Sequence, residues 1–290
     1  MDLLEWILST MRFASPLMMA GMAGLLSERS GVINIALEGF ILFGAFASAS
    51  AAYAIGDPWI GLSVGCLTGA LMGMFYGGLT VGLGSDQIVA GTAMNVLAWG
   101  GIPFIGKTLF DSTANTPPLE VASRLPVWAP IVVAVVVCGL VYFGLRYVRF
   151  GLWLTFAGEK PEALAVIGVR ARLVRMVAVT LSGGVAALGG GILSIALSSS
   201  YTRNMSAGRG FMALAALILG KWKPIPTAVA CLLFGLFEVL QLRLQGHVFE
   251  FSSFSGEIPG QIVQILPYLL TLVLVGGFVG QSLAPKALGR

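Results

Sequence analysis

Apolar runs about the length of a bilayer crossing alternate along this chain with short polar breaks. A helix needs about 20 apolar residues to span hydrocarbon. Such runs fall at about 4–26, 33–54, 59–83, 87–106, 127–146, 174–197, 224–244 and 261–283, with a shorter apolar piece at about 209–220. The pattern predicts an all-α, polytopic membrane fold of about eight to ten helices, some broken or half-length, forming one transmembrane domain over 1–290. The most informative break is Ser27-Glu28-Arg29-Ser30-Gly31-Val32-Ile33-Asn34-Ile35-Ala36-Leu37-Glu38-Gly39. Polar groups beside hydrocarbon must face protein, a cavity or the membrane surface. Glycines next to them predict a helix that starts irregularly, as transporters use where they handle cargo. The plainer reading of Glu28, Arg29 and Ser30 is a short surface loop.

Composition agrees with the pattern. The 290 residues are 57% hydrophobic and 10% charged, with mean hydropathy +0.91, whereas soluble domains carry about 25% charged residues. The net charge of +4 does not point to nucleic acid, because the basic residues sit in loops beside apolar spans. Residues 146–175 hold Arg146, Arg149, Lys160, Arg170, Arg172 and Arg175 against Glu159 and Glu162. The positive-inside rule places this loop, about 147–173, in the cytoplasm. Counting spans back puts the acidic N-terminus outside. Counting forward puts Lys221, Lys223, Lys286 and Arg290 inside only if 209–220 also crosses, with loops 107–126 and 245–260 outside. Pro117 and Pro118 exclude a helix through the first of those loops.

Several motifs carry chemistry or its absence. Within the basic loop, Gly158-Glu159-Lys160-Pro161-Glu162-Ala163-Leu164-Ala165-Val166-Ile167-Gly168 predicts a short helix: Pro161 suits its first position, Glu162 its positive end, and Gly168 its stop. That helix is either a connector or a docking surface for a cytosolic partner. Ser182-Gly183-Gly184-Val185-Ala186-Ala187-Leu188-Gly189-Gly190-Gly191 lacks the Lys-Ser or Lys-Thr of a phosphate loop and lies in an apolar span, so close helix packing is the reading. Asp86 can cap the fourth span. Gln87, Gly91 and Asn95 recur every four residues, so they share one polar, small face. Glu238 and Gln241 are three apart on an apolar helix, and an acid at that depth needs a partner, water or a proton. Asn34, Glu38, Phe40, Gln87, Asn95, Phe211 and Glu238 are the candidate pathway residues, with hydrogen bonding between packed helices as the structural reading. Phe40 and Phe211 are rings for stacking or gating, or simple helix and lipid contacts. Glu38-Gly39-Phe40-Ile41 and Arg209-Gly210-Phe211-Met212 each open an apolar run followed by prolines, a faint internal echo of the kind that marks a transport path. Cys66, Cys138 and Cys231 lack metal spacing. His247 is the only histidine, and no catalytic set or metal cluster is expected.

The motifs carry a resemblance. LLSERSGVINIALEGFILFGA (25–45) resembles the signature of ABC-importer permeases of the branched-chain amino acid, ribose and nucleoside superfamily. Its SERSGVxNIxLEG form is most similar to the branch that works with basic-membrane-protein-type lipoproteins on nucleosides. SDQIVAGTAMNVLA (85–98) resembles that branch's NQIVSGxAxN segment, departing at Ser85-Asp86, where the branch often has Ala-Asn. FGLWLTFAGEKPEALAVIGV (150–169) is similar to the superfamily's coupling loop, and GRGFMALAALILGKWKP (208–224) to its late half-helix.

The resemblance implies a type II-like permease subunit in a bacterial inner membrane. It implies a second homologous permease, a heterodimer being favoured over a homodimer, a cytosolic ABC ATPase, and an external substrate-binding lipoprotein. ATP and Mg would then sit on the ATPase, with no cofactor in this chain. Gly158, Glu159, Pro161, Glu162, Ala163 and Gly168 would be the ATPase-coupling residues. A sugar, branched-chain amino acid or flavin is the alternative cargo. A proton-coupled carrier using Glu38 and Glu238 is the rival of another class, and a channel or structural subunit a third.

Overall fold

The computed structural model describes residues 3–244, 248–251, 254–257, 269 and 284–289. Ten helices are seen among the described residues: α1 (Leu3–Arg29), α2 (Leu37–Ile55), α3 (Pro58–Gly77), α4 (Gln87–Phe110), α5 (Ala129–Tyr147), α6 (Arg149–Glu159), α7 (Pro161–Val166), α8 (Ala171–Ile192), α9 (Arg209–Leu219) and α10 (Pro224–Leu244). Single π-turns extend α3 through Gly78–Gly82 and α8 through Leu193–Leu197. Six of these segments are long and apolar enough to cross a membrane, and α1 adds a helix of 27 residues. The expected all-α polytopic architecture is therefore present. The expected span at 261–283 lies outside the described residues apart from Leu269. One feature was not foreseen: within 245–260, β1 (Val248–Phe251) and β2 (Phe254–Glu257) pair antiparallel, Val248 opposite Glu257 and Phe251 opposite Phe254.

Local chemistry sets the helix ends. Asp57 caps α3 by accepting from the Trp59 and Ile60 amides at 2.7 and 3.1 Å, with Pro58 at the first position. Asp86 caps α4 through Ile88 and Val89, both at 2.9 Å, as expected. Pro16 lies inside α1 and leaves the Arg12 carbonyl without its usual donor. The Ser15 hydroxyl supplies one at 2.7 Å, which keeps the backbone satisfied where no water is available.

Glycines hold α2, α3 and α8 together at backbone distance. A Cβ on Gly73 of α3 would stand 2.7 Å from the Val179 carbonyl and 3.1 Å from Gly183 Cα of α8. Gly190 and Gly44 make the corresponding approaches between α8 and α2, Gly190 against the Ile41 carbonyl and Gly44 against Ala187. The run 182–191 is thus a packing face, with Gly183, Gly184, Gly189, Gly190 and Gly191 all buried. In lipid, where apolar surface alone drives no helix association, close backbone approach of this kind supplies the attraction.

The bundle has two chemically distinct ends. At one, Arg175 donates to the carbonyls of Ser30 (3.1 Å) and Ala157 (3.0 Å). There the Ala287 and Gly289 amides reach the carbonyls of Gly158 (2.8 Å) and Gly31 (3.1 Å). This is the basic end, where α6 and α7 lie. The sequence pattern foresaw α7 but not α6. At the other end, the loop after α4 pins the segment after α8: Thr116 N–H to the Tyr201 carbonyl (3.1 Å), Leu119 N–H to that of Ser199 (2.8 Å) and Arg203 N–H to that of Ala114 (2.7 Å). Arg243 near the end of α10 covers the Trp6 ring of α1 at this same end, 4.2 Å from its centroid. Pro117 and Pro118 lie in a non-helical stretch, as expected.

Candidate translocation site

Two helices begin in the interior of the bundle, and their N-termini meet. The first is α2. Its approach, residues 30–36, is irregular: Gly31 has φ 97°, and Ser27 ties the turn by donating to the Val32 carbonyl at 2.8 Å. The exposed backbone of this approach is then satisfied by side chains from elsewhere. Gln87 Oε1 accepts from Ile33 N–H at 2.7 Å. The Tyr76 hydroxyl donates to the Ile33 carbonyl at 2.6 Å, with the Gln87 carbonyl at 3.0 Å. Asn95 donates to the Ile35 carbonyl at 3.0 Å and accepts from Gly39 N–H at 2.8 Å. Between them, Gly91 brings α4 close to Ile35 and Ala36. The face Gln87–Gly91–Asn95 expected from its four-residue spacing is therefore the surface that splints the broken helix. Asn34 donates to Ser182 Oγ at 2.8 Å, which donates in turn to the Ala23 carbonyl at 2.6 Å. Asn34 Oδ1 is buried without a partner among the described residues.

The second broken element is residues 198–208 followed by α9. Ser199, Asn204 and Ala207 have positive φ, so the chain turns repeatedly before Gly208, φ 81°, opens the helix. Glu38, in the first turn of α2 and 1% exposed, reaches across. Its Oε1 accepts from Ser206 Oγ (2.5 Å) and Gly208 N–H (2.9 Å), and its Oε2 from Gly210 N–H (2.7 Å). Gly210 is required here, since a Cβ would stand 2.7 Å from Glu38 Cα. The two echo segments of the sequence, 38–41 and 209–212, are thus brought together. At its far end α9 stops at Gly220, and Trp222 Nε1 donates to Glu28 at 2.6 Å, beside the basic end. Residues 198–208 and α9 together therefore run from one end of the bundle to the other, as expected if 209–220 belongs to a crossing.

Phe40 is fully buried and edge-on to Tyr76, ring centroids 6.1 Å apart. Phe211 is 45% exposed. Glu238 of α10 pairs with Arg209, which also donates to the Met205 and Ser206 carbonyls at 3.1 and 3.2 Å. The acid that needed a partner has one. Removing one member of a shielded pair strands the other, at about 3 kcal/mol. We expect Glu238→Ala to lower the melting temperature in detergent sharply, while Arg209→Met with Glu238→Leu restores most of it; fluorescence-detected size exclusion after heating measures both.

At the basic end, Gly158 is buried and packs against the Arg29 backbone. Glu159, Glu162 and Gly168 are exposed, and Pro161 and Ala163 half-buried. α7 closes on Gly168 at φ 76° and carries Val166 and Ile167, 88% and 60% exposed. Tyr76 and Ser206 were not singled out from sequence, and Ser182, Arg209 and Trp222 entered only as members of longer motifs, without the partners seen here. Tyr76 reads as one more ring in an apolar run, and the others declare themselves only through partners far along the chain. Cys66, Cys138 and Cys231 are unpaired, and no metal-holding cluster is found among the described residues.

A multi-pass bundle in which the N-termini of a long helix and a half-length helix meet in the interior, with a short helix at its basic end, is the architecture of a membrane transport permease. The model for the family described as branched-chain amino acid transport system, permease component, matches residues 6–275; the chain belongs to that family. It is 33% identical to the nucleoside ABC transporter permease protein NupC of Lactococcus lactis, over 96% of this chain and 93% of the relative. It is 31% identical to the guanosine ABC transporter permease protein NupQ of Bacillus subtilis, over 97% and 94%. The putative glucose ABC transporter permease protein TsgC13 of Haloferax volcanii is also 31% identical, over 92% and 89%. The same two bacteria contribute a second permease each, NupB and NupP, both 22% identical to this chain. No solved structure matches the chain.

Proposed function

We propose that this chain is a permease subunit of an ATP-driven ABC importer for nucleosides in a bacterial inner membrane. The observation that carries the transport reading is the meeting of α2 and α9 at Glu38, which leaves backbone and polar side chains in the bundle interior rather than lipid-facing helix. Similarity to the nucleoside and guanosine permeases supports the cargo, and the glucose relative keeps a sugar as the alternative. The basic end faces the cytoplasm by the positive-inside rule. There α7 presents Val166 and Ile167 to a cytosolic ATPase, which holds ATP and Mg. NupB beside NupC, and NupP beside NupQ, support a second, unlike permease as partner. An external lipoprotein delivers cargo at the opposite end, near 107–126 and 245–260. On this reading Gly158 seats the coupling loop on α1, and Glu159, Pro161, Glu162, Ala163 and Gly168 shape its contact surface.

The test is purification from native membrane in mild detergent with mass spectrometry of what stays bound. An ATPase and a second permease should co-purify with the wild type and be lost with Glu162→Arg, which sets a cation at the positive end of a short helix facing the partner. A chain that purifies alone and moves solute in proteoliposomes without ATP would refute the proposal.

A further inference from the structure

The row that splints α2 does not stop at Asn95. One turn further along α4 the same spacing reaches Trp99. Trp99 is 44% exposed, large and polarisable, and it does not splint the broken helix. It lines a cavity of about 370 Å³ in the half of the bundle away from the basic end, whose other lining residues are Tyr201, Arg203 and Asn204. These three belong to the irregular segment that leads down to Ser206, Gly208 and the Glu38 junction.

The lining has a definite chemistry. Tyr201 is a rigid wall: it is 4% exposed, its ring packs edge-on against Phe46 with centroids 5.4 Å apart, and its backbone is fixed to Thr116 on both sides. The Arg203 side chain forms no hydrogen bond or ion pair, and the Asn204 side-chain amide no hydrogen bond, among the described residues, while the Asn204 backbone bonds the Tyr201 hydroxyl. Pro103 lies four residues beyond Trp99 in α4, so it removes the amide that would normally engage the Trp99 carbonyl. The cavity thus offers an exposed indole, a guanidinium donor, and a side-chain amide that both donates and accepts. An aromatic plane with in-plane donors and acceptors is what a heterocyclic base presents to a protein, and stacking on an aromatic side chain is the usual way proteins hold an unpaired base. An aliphatic amino acid has no flat face to match the indole, and a hexose can stack its C–H face but has no aromatic edge carrying in-plane donors and acceptors. The volume is within the range of small-molecule sites.

We infer that Trp99, Arg203 and Asn204 form a base-recognition site at the outer mouth of the path, Trp99 stacking on the nucleobase while Arg203 and Asn204 read its polar edge. The inference rests on the nucleoside reading above and goes further, because it assigns the specificity to the base and to residues outside the splint. Asn204→Asp removes the donor and keeps an acceptor, so it shifts preference among bases rather than abolishing uptake.

The experiment is uptake of radiolabelled guanosine by cells carrying the chain in its complete importer, compared with cells lacking it, with free guanine and free ribose as competitors. Trp99→Ala should raise the half-saturating concentration about tenfold or more at unchanged membrane level, and Trp99→Phe should recover most of it. Asn204→Asp should alter the guanosine-to-uridine ratio with little change in maximal rate. Guanine should compete and ribose should not. Guanosine uptake that persists when the chain is deleted overturns the nucleoside reading and this site with it. Chain-dependent guanosine uptake that is unchanged by Trp99→Ala and Asn204→Asp, or blocked by ribose alone, overturns the site and leaves the nucleoside reading standing.

Discussion

Glu38→Ala is expected to unseat α9 and abolish transport. The substitution takes away the acceptor for three donors at once, Ser206 Oγ and the amides of Gly208 and Gly210. Each buried donor left without a partner costs about 1–3 kcal/mol. Water cannot relieve Gly210, which is buried against the Glu38 backbone itself. A loss of about 4 kcal/mol or more follows from these donors, before any cavity cost is added. Glu38→Gln separates charge from hydrogen bonding. Its single oxygen can serve Ser206 and Gly208, but its NH₂ then faces the Gly210 N–H, donor to donor. The expected order of thermal stability in detergent is wild type, then Gln, then Ala, and uptake should fall in the same order. An alanine variant that melts with the wild type would show that the junction is not held by this carboxylate.

Gly73→Leu should strongly disrupt the packed half of the bundle. Two effects oppose each other. Replacing a helical glycine gains up to about 1 kcal/mol of intrinsic preference. Against that, even the first added carbon meets the Val179 carbonyl at 2.7 Å, and Gly183 Cα and Thr180 Cα at 3.1 and 3.2 Å. These are backbone atoms of α8, so no rotamer change relieves them, and overpacking of this sort costs about 3 kcal/mol. The clash wins, and α3 and α8 are forced apart. Expression as aggregate, or a monodisperse fraction that collapses on mild heating, is the expected readout. Gly139 of α5, with nothing within 4 Å of the Cβ position, is the control that should tolerate alanine.

Much of the architecture could be read from hydropathy because a bilayer forces it. Among the described residues, span ends were within a few residues of those expected, and the expected 224–244 coincides with α10. The four-residue row on α4 was also legible, since a helix fixes which residues share a face. Two parts were not. Residues 198–208 are polar and glycine-containing, and from composition alone they look like a loop outside the membrane. Only their pairing with loop 112–119 and with Glu38 shows that they run into the bundle. Nor does sequence indicate that Glu38 would find Gly208 and Gly210, about 170 positions away, or that Glu238 would find Arg209. Such partners are set by tertiary approach, not local pattern. Helix α6, with Arg149 at its start and Gly151 and Gly158 within it, was hidden because its 11 residues are too few for a span and are interrupted by glycines.

The junction at Glu38 has an electrical consequence. A helix N-terminus carries the positive pole of its dipole and is a natural resting place for an anion. Here two such poles point at one spot, and Glu38 serves both, lying in the first turn of α2 while capping α9. The protein has therefore filled, with a side chain of its own, the place where an anionic solute would settle. On the proposed transport reading, a phosphate ester arriving there finds both poles already taken, and selection against anions needs no gate to close.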